Sequence, residues 1–187
     1  MFQERHPLVG RELSVARRTS VAIRALDNCA RYNLRIAPSD LGAAAAAWGS
    51  DLPAAIGEAR ATSSGRLAAC IGPDEWFLIA PLADQDAIEK AFADLYATTI
   101  HSLVDVGHRE VGIAIEGPEA AAALQSCIAA EVALMPVGSA RRTIIDRVQI
   151  ILFREAEDRF RIEVWHSFAD HVWHLLAGIC REFELGL

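Results

Sequence analysis

The 187-residue chain has little lysine, and its excess charge is negative. Lys90 is the single lysine among 18 basic residues, and the formal net charge is −7. The basic residues are scattered along the chain, which argues against a groove that follows nucleic-acid phosphates. We therefore expect no nucleic-acid partner. The predominance of arginine fits bidentate contacts with a partner protein, and it fits genomic base composition equally well.

Paired cysteines and phosphate-binding glycine motifs are also missing. Cys29, Cys70, Cys127 and Cys180 lie far apart without a C-x-x-C pair, so we expect buried free thiols and neither disulfides nor a structural metal. Neither G-x-G-x-x-G nor G-x-x-x-x-G-K-[ST] occurs. The sequence therefore contains no recognisable phosphate cradle.

Long apolar runs are absent as well. No stretch approaches the roughly 20 apolar residues of a membrane-spanning helix. The first residues include Glu4, Arg5, His6 and Glu12, where a signal peptide needs an unbroken apolar segment. These features predict a cytoplasmic protein without a membrane span.

The sequence does contain an internal repeat: the same order of predicted elements occurs twice. The pattern strand, helix, hairpin, helix runs from Tyr32 to Tyr96 and again from Glu110 to about Phe183. Corresponding positions are offset by roughly 80 residues, as in the pair Trp76 and Phe160. The pattern predicts an α+β fold of duplicated strand-helix-hairpin-helix units, which form antiparallel sheets with helices packed on them.

We expect one pseudo-symmetric domain over residues 1–187. Repeat 1 covers about 20–97 and repeat 2 about 102–184, preceded by an extended N-terminal arm at 1–19. In the last helix, predicted from Ser167 as the N-cap, an apolar stripe follows helical spacing. Its members are Phe168, Val172, Leu175, Leu176 and Ile179.

Three groups of residues are candidates for chemistry or binding. Asp105 and His108 stand in D-V-G-H, where a carboxylate can orient an imidazole, although a hydrogen-bonded loop is the simpler interpretation because no nucleophile is near. His166, Asp170, His171 and His174 have a weak resemblance to zinc-site spacing, but lack H-E-x-x-H or paired cysteines, which favours a solvent-facing or intersubunit surface.

The four tryptophans form the third group. Trp48, Trp76, Trp165 and Trp173 have indole faces suited to stacking a flat ligand. Their positions at the ends of predicted strands and helices favour packing in a core or at an interface.

Specific stretches resemble a known family. The runs SLVDVGHREVGIAIEGPEAAAALQ and TIIDRVQIILFREAEDRFRIEV resemble the folate-binding domain shared by the T protein of the glycine cleavage system and its relatives. A narrower resemblance is carried by five further stretches: RHPL near the start, LPAAIGE at 52–58, IGPDEWFLIAP at 71–81, MPVG at 135–138 and SFADHVWHLL at 167–176. Over about 170 residues, the chain with these stretches resembles the gamma-subunit family of heterotetrameric sarcosine oxidase.

This resemblance implies membership of a complex that oxidatively demethylates sarcosine to glycine. Hydrogen peroxide and methylene-tetrahydrofolate are the other products. The alpha subunit would carry NAD and a folate-binding region, the beta subunit FAD and FMN, and the delta subunit zinc. The gamma subunit has no assigned cofactor, so the resemblance implies a structural role against the alpha subunit. Trp165, His166, His171, Trp173 and His174 are our candidates for the partner surface, and the isolated chain is expected to form a homodimer.

One departure from the folate-enzyme pattern bears on catalysis. The strand of the family pattern carries two neighbouring acidic residues. The corresponding positions in this chain are Asp146 and Arg147, so that the second acidic residue is replaced by a cation. A cation beside the carboxylate works against stabilising the cationic iminium of one-carbon transfer. Asp146 stays a candidate catalytic residue for an alternative function, a folate-dependent one-carbon transferase or folate-binding protein, if the register of the match shifts by one. A third alternative is a pocket for another small ligand at the pseudo-dyad.

Overall fold

The structure, a computed structural model, describes residues 6–14 and 21–185. Residues 1–5 and 15–19 of the predicted N-terminal arm lie outside the described residues. The chain divides into two compact units. Unit 1 comprises Met1–Asn28, Arg109–Val137 and Arg141–Leu187, and unit 2 comprises Cys29–His108 and Gly138–Ala140.

Eleven strands and four α-helices occur in the described part of the chain. The strands are β1 (Glu12–Ser14), β2 (Ala22–Ala25), β3 (Ala30–Ile36), β4 (Ala59–Ala61), β5 (Leu67–Gly72), β6 (Glu75–Ala80), β7 (His101–Asp105), β8 (Glu110–Glu116), β9 (Ser139–Ile145), β10 (Val148–Ala156) and β11 (Arg159–Trp165). The helices are α1 (Leu41–Trp48), α2 (Gln85–Leu95), α3 (Ala120–Gln125) and α4 (His166–Leu185). No helix among the described residues is both long enough and apolar enough to cross a membrane.

Unit 1 is built on a six-stranded sheet with the order β1-β2-β8-β11-β10-β9. Helix α4 contacts β2, β8 and β11, and it also contacts α3. Apolar residues that alternate along the central strands, such as Ile113 and Ile115 in β8, point into one core with the apolar side of α4. Burial of this continuous apolar surface is the main driving force for forming the unit.

Unit 2 is built on a five-stranded sheet with the order β4-β5-β6-β3-β7. Helices α1 and α2 pack against each other. Trp48, Trp76 and Phe92 are almost completely buried in the core of this unit. The Trp76 indole N–H donates a hydrogen bond to the Pro53 carbonyl at 2.7 Å, which satisfies the polar end of a buried aromatic side chain.

The two sheets have corresponding strand orders. In unit 2, β3 pairs antiparallel with β6, which pairs with β5. In unit 1, β8 pairs antiparallel with β11, which pairs with β10. A helix follows the first strand of each set, and another follows each hairpin. The predicted α+β fold of duplicated strand-helix-hairpin-helix units is therefore confirmed, while the single-domain organisation stays a prediction.

Two local predictions were wrong. Ser167 does not precede the last helix but lies inside it, because α4 begins at His166 directly after β11. Asp146 and Arg147 do not continue a strand but form the turn between β9 and β10. Asp146 has a φ of 52°, a left-handed conformation that aspartate tolerates better than most residues.

Candidate functional site

The first turn of α4 carries an exposed aromatic patch. Because β11 ends at Trp165 and α4 begins at the next residue, the strand and the helix share one corner. The His166 backbone N–H donates to the Arg109 carbonyl at 2.7 Å, which fixes this corner to the start of β8. The exposed side chains of Trp165 and Phe168 lie there with ring centroids 6.5 Å apart.

Arg109 completes this aromatic patch, which we define as Arg109, Trp165 and Phe168. Its guanidinium carbon lies 5.5 Å from the centroid of the Trp165 ring, within cation–π range. Its Nε and Nη2 atoms lie 3.1 and 3.0 Å from Oε1 of Glu110. The Glu110 side chain is 4% exposed, so a buried carboxylate holds the cation in place on the indole.

Two histidines farther along α4 are each joined to an aspartate. His171 Nε2 lies 3.1 Å from Oδ2 of Asp146. His174 Nδ1 lies 2.8 Å from the Asp170 carbonyl oxygen and 3.6 Å from its Oδ2. Arg11 Nη1 donates to Oδ1 of Asp170 at 2.6 Å. The exposed side of α4 is therefore a row of charged and hydrogen-bonding groups.

Four of the five predicted partner-surface residues are exposed: Trp165 at the end of β11, and His166, His171 and His174 on α4. Trp173, by contrast, is 7% exposed and packs in the core of unit 1, so it adds little to the surface. The buried stripe of α4 contains Ala169, Val172, Trp173, Leu176, Ile179 and Cys180. Phe168 stands one residue, or about 100° of rotation, before this buried stripe. Its place in the predicted apolar stripe was therefore wrong, because its side chain is exposed.

The Asp146 turn is the second candidate site. Its backbone N–H donates to the Cys127 carbonyl at 2.9 Å, which fixes the turn next to the end of α3. The pKa of Asp146 is lowered below its ordinary value, mainly because its carboxylate accepts a hydrogen bond from His171, with a further contribution from Arg147. Burial opposes this shift. The carboxylate is thus held in its charged form by two neighbours.

Cys127, beside this turn, is not equipped to act as a nucleophile. Burial, with the nearby negative charge of Asp146, raises the pKa of its thiol to about 12. The Sγ atom donates to the Leu124 carbonyl oxygen at 3.4 Å. Since the thiolate is the reactive form, the Asp146–His171 pair lacks an activated thiol next to it.

The D-V-G-H segment forms the hydrogen-bonded loop that its sequence favours. Oδ1 of Asp105 accepts the Gly107 backbone N–H at 2.7 Å, a local turn typical of aspartate. His108 follows at the end of this turn. The carboxylate is therefore used to shape the chain.

The remaining candidates lie elsewhere. Trp48 and Trp76 are buried in the core of unit 2, which removes their indole faces from solvent. Cys70 and Cys180 are buried, and Cys29 and Cys127 are half-buried. Within residues 6–14 and 21–185, no three or more His, Cys, Asp or Glu side chains are grouped so that they could hold a metal ion.

Sequence reasoning missed Arg109 and Phe168, and it did not anticipate the contact between Asp146 and His171. The Arg109 contact depends on the pairing of Trp165 with Glu110 between β11 and β8. The Asp146 contact joins residues 25 positions apart. No periodicity within a single element indicates either one, since both arise from the packing of different elements.

The fold and these surfaces define an α+β protein of duplicated antiparallel sheets, with exposed aromatic and charged groups gathered on its last helix. A family model described as "Sarcosine oxidase, gamma subunit family" matches residues 35–182. The chain belongs to this family.

Individual relatives agree with the family match. The sarcosine oxidase subunit gamma of Corynebacterium sp. strain U-96 is 30% identical over 174 residues, which are 91% of this chain and 84% of the relative. The Arthrobacter sp. subunit gamma is 26% identical over 168 residues, 88% of this chain and 82% of the relative.

Solved structures show the same relationship. A chain of the heterotetrameric sarcosine oxidase from Corynebacterium sp. U-96, in complex with pyrrole 2-carboxylate, has 30% identity and a TM-score of 0.78, covering 88% of this chain and 85% of that chain. The glycine cleavage system aminomethyltransferase T from Bartonella henselae has 16% identity and a TM-score of 0.61, covering 83% of this chain and 45% of that chain. The second likeness concerns the fold alone.

Proposed function

We propose that the chain is the non-catalytic gamma subunit of a cytoplasmic, heterotetrameric sarcosine oxidase. The complex would convert sarcosine to glycine, with hydrogen peroxide and methylene-tetrahydrofolate as the other products. Its alpha, beta and delta subunits would hold NAD, FAD, FMN, zinc and the folate-binding site. The observation that carries this proposal is the 30% identity and TM-score of 0.78 to a chain of a heterotetrameric sarcosine oxidase, over 88% of this chain.

A role in assembly fits the properties of the aromatic patch. Trp165 is 42% exposed and Phe168 is 43% exposed, although burial of such side chains is favourable. Tryptophan and arginine are enriched among the residues that dominate interface energetics. Because Arg109 is already ordered by Glu110 and by the indole ring, little conformational entropy is lost when a partner covers it.

The Asp146 turn fits a non-catalytic role. Oδ2 of Asp146 already lies 3.1 Å from Nε2 of His171 and 3.3 Å from Nε of Arg147. A carboxylate that stabilises a developing cation in a ligand acts best when its charge is not satisfied by the protein. The thiol of Cys127 is protonated at neutral pH.

The assembly role is tested at Trp165. We expect Trp165→Ala to weaken capture of the other sarcosine oxidase subunits by roughly 30-fold, the effect of losing an interface residue worth about 2 kcal/mol. Leu82→Ala is the matched control, because Leu82 is 52% exposed and lies in unit 2. The measurement is the affinity of each purified variant for the remaining subunits. Equal binding by the wild type and Trp165→Ala would show that the aromatic patch does not contribute to the interface.

A second candidate function is folate-dependent one-carbon transfer through Asp146, favoured by the exposed, ionised carboxylate in the turn. Titration calorimetry with tetrahydrofolate separates this candidate from the first. The non-catalytic account predicts no heat of binding up to about 1 mM ligand. Saturable heat that is abolished in Asp146→Asn would support the transferase instead.

A further inference from the structure

Strand β7 forms one end of the five-stranded sheet of unit 2, where it pairs with β3 on one side. Apolar side chains are exposed around it: Ile100 is 87% exposed and Val104 is 50% exposed. An edge strand of this kind presents backbone groups that can pair with another strand.

The register shows which backbone groups of β7 face outward. The Val106 N–H donates to the Arg31 carbonyl at 2.8 Å. Val106 and Arg31 are therefore hydrogen-bonded partners in the ladder between β7 and β3. Bonded and non-bonded pairs alternate along antiparallel strands. The N–H and C=O groups of Ser102 and Val104 therefore point toward β3, where these residues face Arg35 and Asn33.

The backbone groups of His101, Leu103 and Asp105 consequently point away from β3, toward the open edge. In the part of the chain that the structure describes, no other strand is paired with β7 on that side. The three residues are evenly spaced along the strand, so a partner strand can bond to each of them in turn.

This edge is complementary to itself. Consider a second β7 that lies antiparallel to the first, with the two-fold axis midway between the two copies of Leu103. Leu103 then faces Leu103 of the second copy. His101 then faces Asp105 of the second copy, and Asp105 faces its His101. All three positions have outward-facing backbone groups, so each pair can exchange two hydrogen bonds. A register shifted by one residue would place inward-facing groups opposite outward-facing ones.

The side chains complement this register. Nδ1 of His101 lies 2.8 Å from the Thr99 carbonyl oxygen, which leaves Nε2 for another partner. Oδ1 of Asp105 accepts the Gly107 N–H, which leaves Oδ2. Side chains directly opposite in an antiparallel pair have Cβ atoms about 5 Å apart. Each imidazole can therefore reach the carboxylate of the second copy, and this contact occurs twice.

We propose that the free chain forms a two-fold homodimer in which β7 pairs antiparallel with β7 of a second copy, in the register centred on Leu103. The proposal goes beyond the assignment to a sarcosine oxidase complex, because it concerns the isolated chain. The pairing joins two five-stranded sheets into one continuous sheet and covers the exposed β7 edge of each copy.

The backbone contact is tested by sedimentation equilibrium of the full-length chain from about 1 µM to about 1 mM. Proline at position 103 removes an N–H that does not pair with β3, and edge strands tolerate such a proline. We expect Leu103→Pro to raise the dimer dissociation constant at least about tenfold, because two hydrogen bonds at the two-fold axis are lost. Leu103→Ala is the matched control, since it also removes the leucine side chain but keeps the N–H, and it should retain the dimer.

The side-chain contact is tested by a charge-reversal cycle. His101→Glu should raise the dissociation constant by roughly fivefold, because two carboxylates then face each other across the strands. Asp105→Lys should raise it by a similar factor, because the imidazole of the second copy loses its carboxylate acceptor. The double variant places a carboxylate opposite an ammonium group at both positions, and the dimer should return toward wild-type strength. Circular dichroism of each variant confirms that unit 2 remains folded.

Three results would overturn the proposal. A wild-type chain that stays monomeric at the highest concentration contradicts it directly. A dimer of unchanged strength in Leu103→Pro places the interface elsewhere. A monomeric wild type whose binding to the other sarcosine oxidase subunits is lost in Leu103→Pro would assign the edge to a strand of a different chain.

Discussion

Arg154 illustrates how a single buried cation can organise a loop. Its side chain is 8% exposed. Nη1 donates to the carbonyl oxygens of Ala133 and Met135 at 2.9 and 2.6 Å, and Nη2 donates to the Glu157 carbonyl at 2.7 Å. The guanidinium carbon also lies 5.3 Å from the Phe160 ring centroid. One side chain thus satisfies three carbonyl groups from two segments of unit 1.

We predict that Arg154→Met lowers the free energy of unfolding by about 2–4 kcal/mol, because the carbonyl groups lose charged donors inside the protein. Arg159→Met is the control: Arg159 is 50% exposed and pairs with Glu155 at 3.1 Å, and an exposed pair contributes at most about 1 kcal/mol. Urea denaturation of both variants measures the difference. Equal effects in the two variants would contradict this role of Arg154.

Asp146 gives a prediction about pH. Its pKa is lowered in the folded chain from the ordinary value of 3.8, mainly by the hydrogen bond from His171. A carboxyl group with a lowered folded pKa stabilises the folded chain above its unfolded pKa, and this contribution is lost as the pH falls through the folded pKa. The stability difference between the wild type and Asp146→Asn should therefore shrink below about pH 4.

Asparagine is the suitable replacement because it also tolerates the left-handed backbone. Urea unfolding at several pH values measures the effect. In a His171→Ala background, the same substitution should produce a smaller change with pH. A stability difference that grows on acidification would refute the assignment.

Among the elements, α1 shows how a helix end depends on glycine. Gly49 follows the helix with a φ of 77°, and its N–H donates to the carbonyls of Ala45 and Ala46. A Cβ atom at this position would lie 2.8 Å from Nη1 of Arg66. Glycine is thus favoured here by the left-handed conformation, and a larger residue would also require the Arg66 guanidinium to shift.

Gly49→Ala should destabilise the protein by about 1–3 kcal/mol, mainly through strain of the left-handed backbone. Gly42 lies within α1, and apart from its chain neighbours and its own helix backbone, no atom of the residues that the structure describes would come within 4 Å of a Cβ there. Gly42→Ala should therefore stabilise the protein by about 0.5–1 kcal/mol through higher helix propensity. Thermal unfolding of both variants provides the test, and shifts of the same sign would be evidence against this account of α1.

The elements also show what the sequence pattern can and cannot predict. Strands β5, β6, β8, β10 and β11 and helices α1, α2 and α4 follow from apolar runs, turn residues and helical spacing. Strands β1, β2, β4, β7 and β9 were not predicted. Four of these five are short, at three to five residues, and all lie toward the sheet edges. Their positions depend on pairing with distant strands rather than on their own periodicity.

At the scale of the whole molecule, the duplication is expressed in the order of the strands. Strand β2 lies within the range 20–97 predicted for repeat 1, but it pairs with β8 in the sheet of unit 1. Strand β7 precedes β8 in the chain and completes the sheet of unit 2. Each sheet therefore contains a strand that directly precedes, along the chain, the first strand of the other unit's strand-helix-hairpin-helix set. A linear comparison of the two repeats does not reveal this arrangement.

The candidate site was partly predictable for related reasons. His166, His171 and His174 are polar residues on a helix whose apolar stripe already defines its buried side, so their exposure follows from spacing. Arg109 and the Asp146 turn reach this helix only through the sheet and the β9–β10 connection. Such long-range contacts become visible when the strand pairing is known.

The chain is proposed to function as a subunit of a heterotetrameric sarcosine oxidase. The most direct measurement is native mass spectrometry of the chain co-expressed with the alpha, beta and delta subunits from the same organism, with sarcosine-dependent peroxide formation assayed on the purified species. We predict one copy of the chain in an active complex with the three other subunits, and no activity in the chain alone. An active complex that assembles without the chain, or sarcosine oxidation by the isolated chain, would contradict the account.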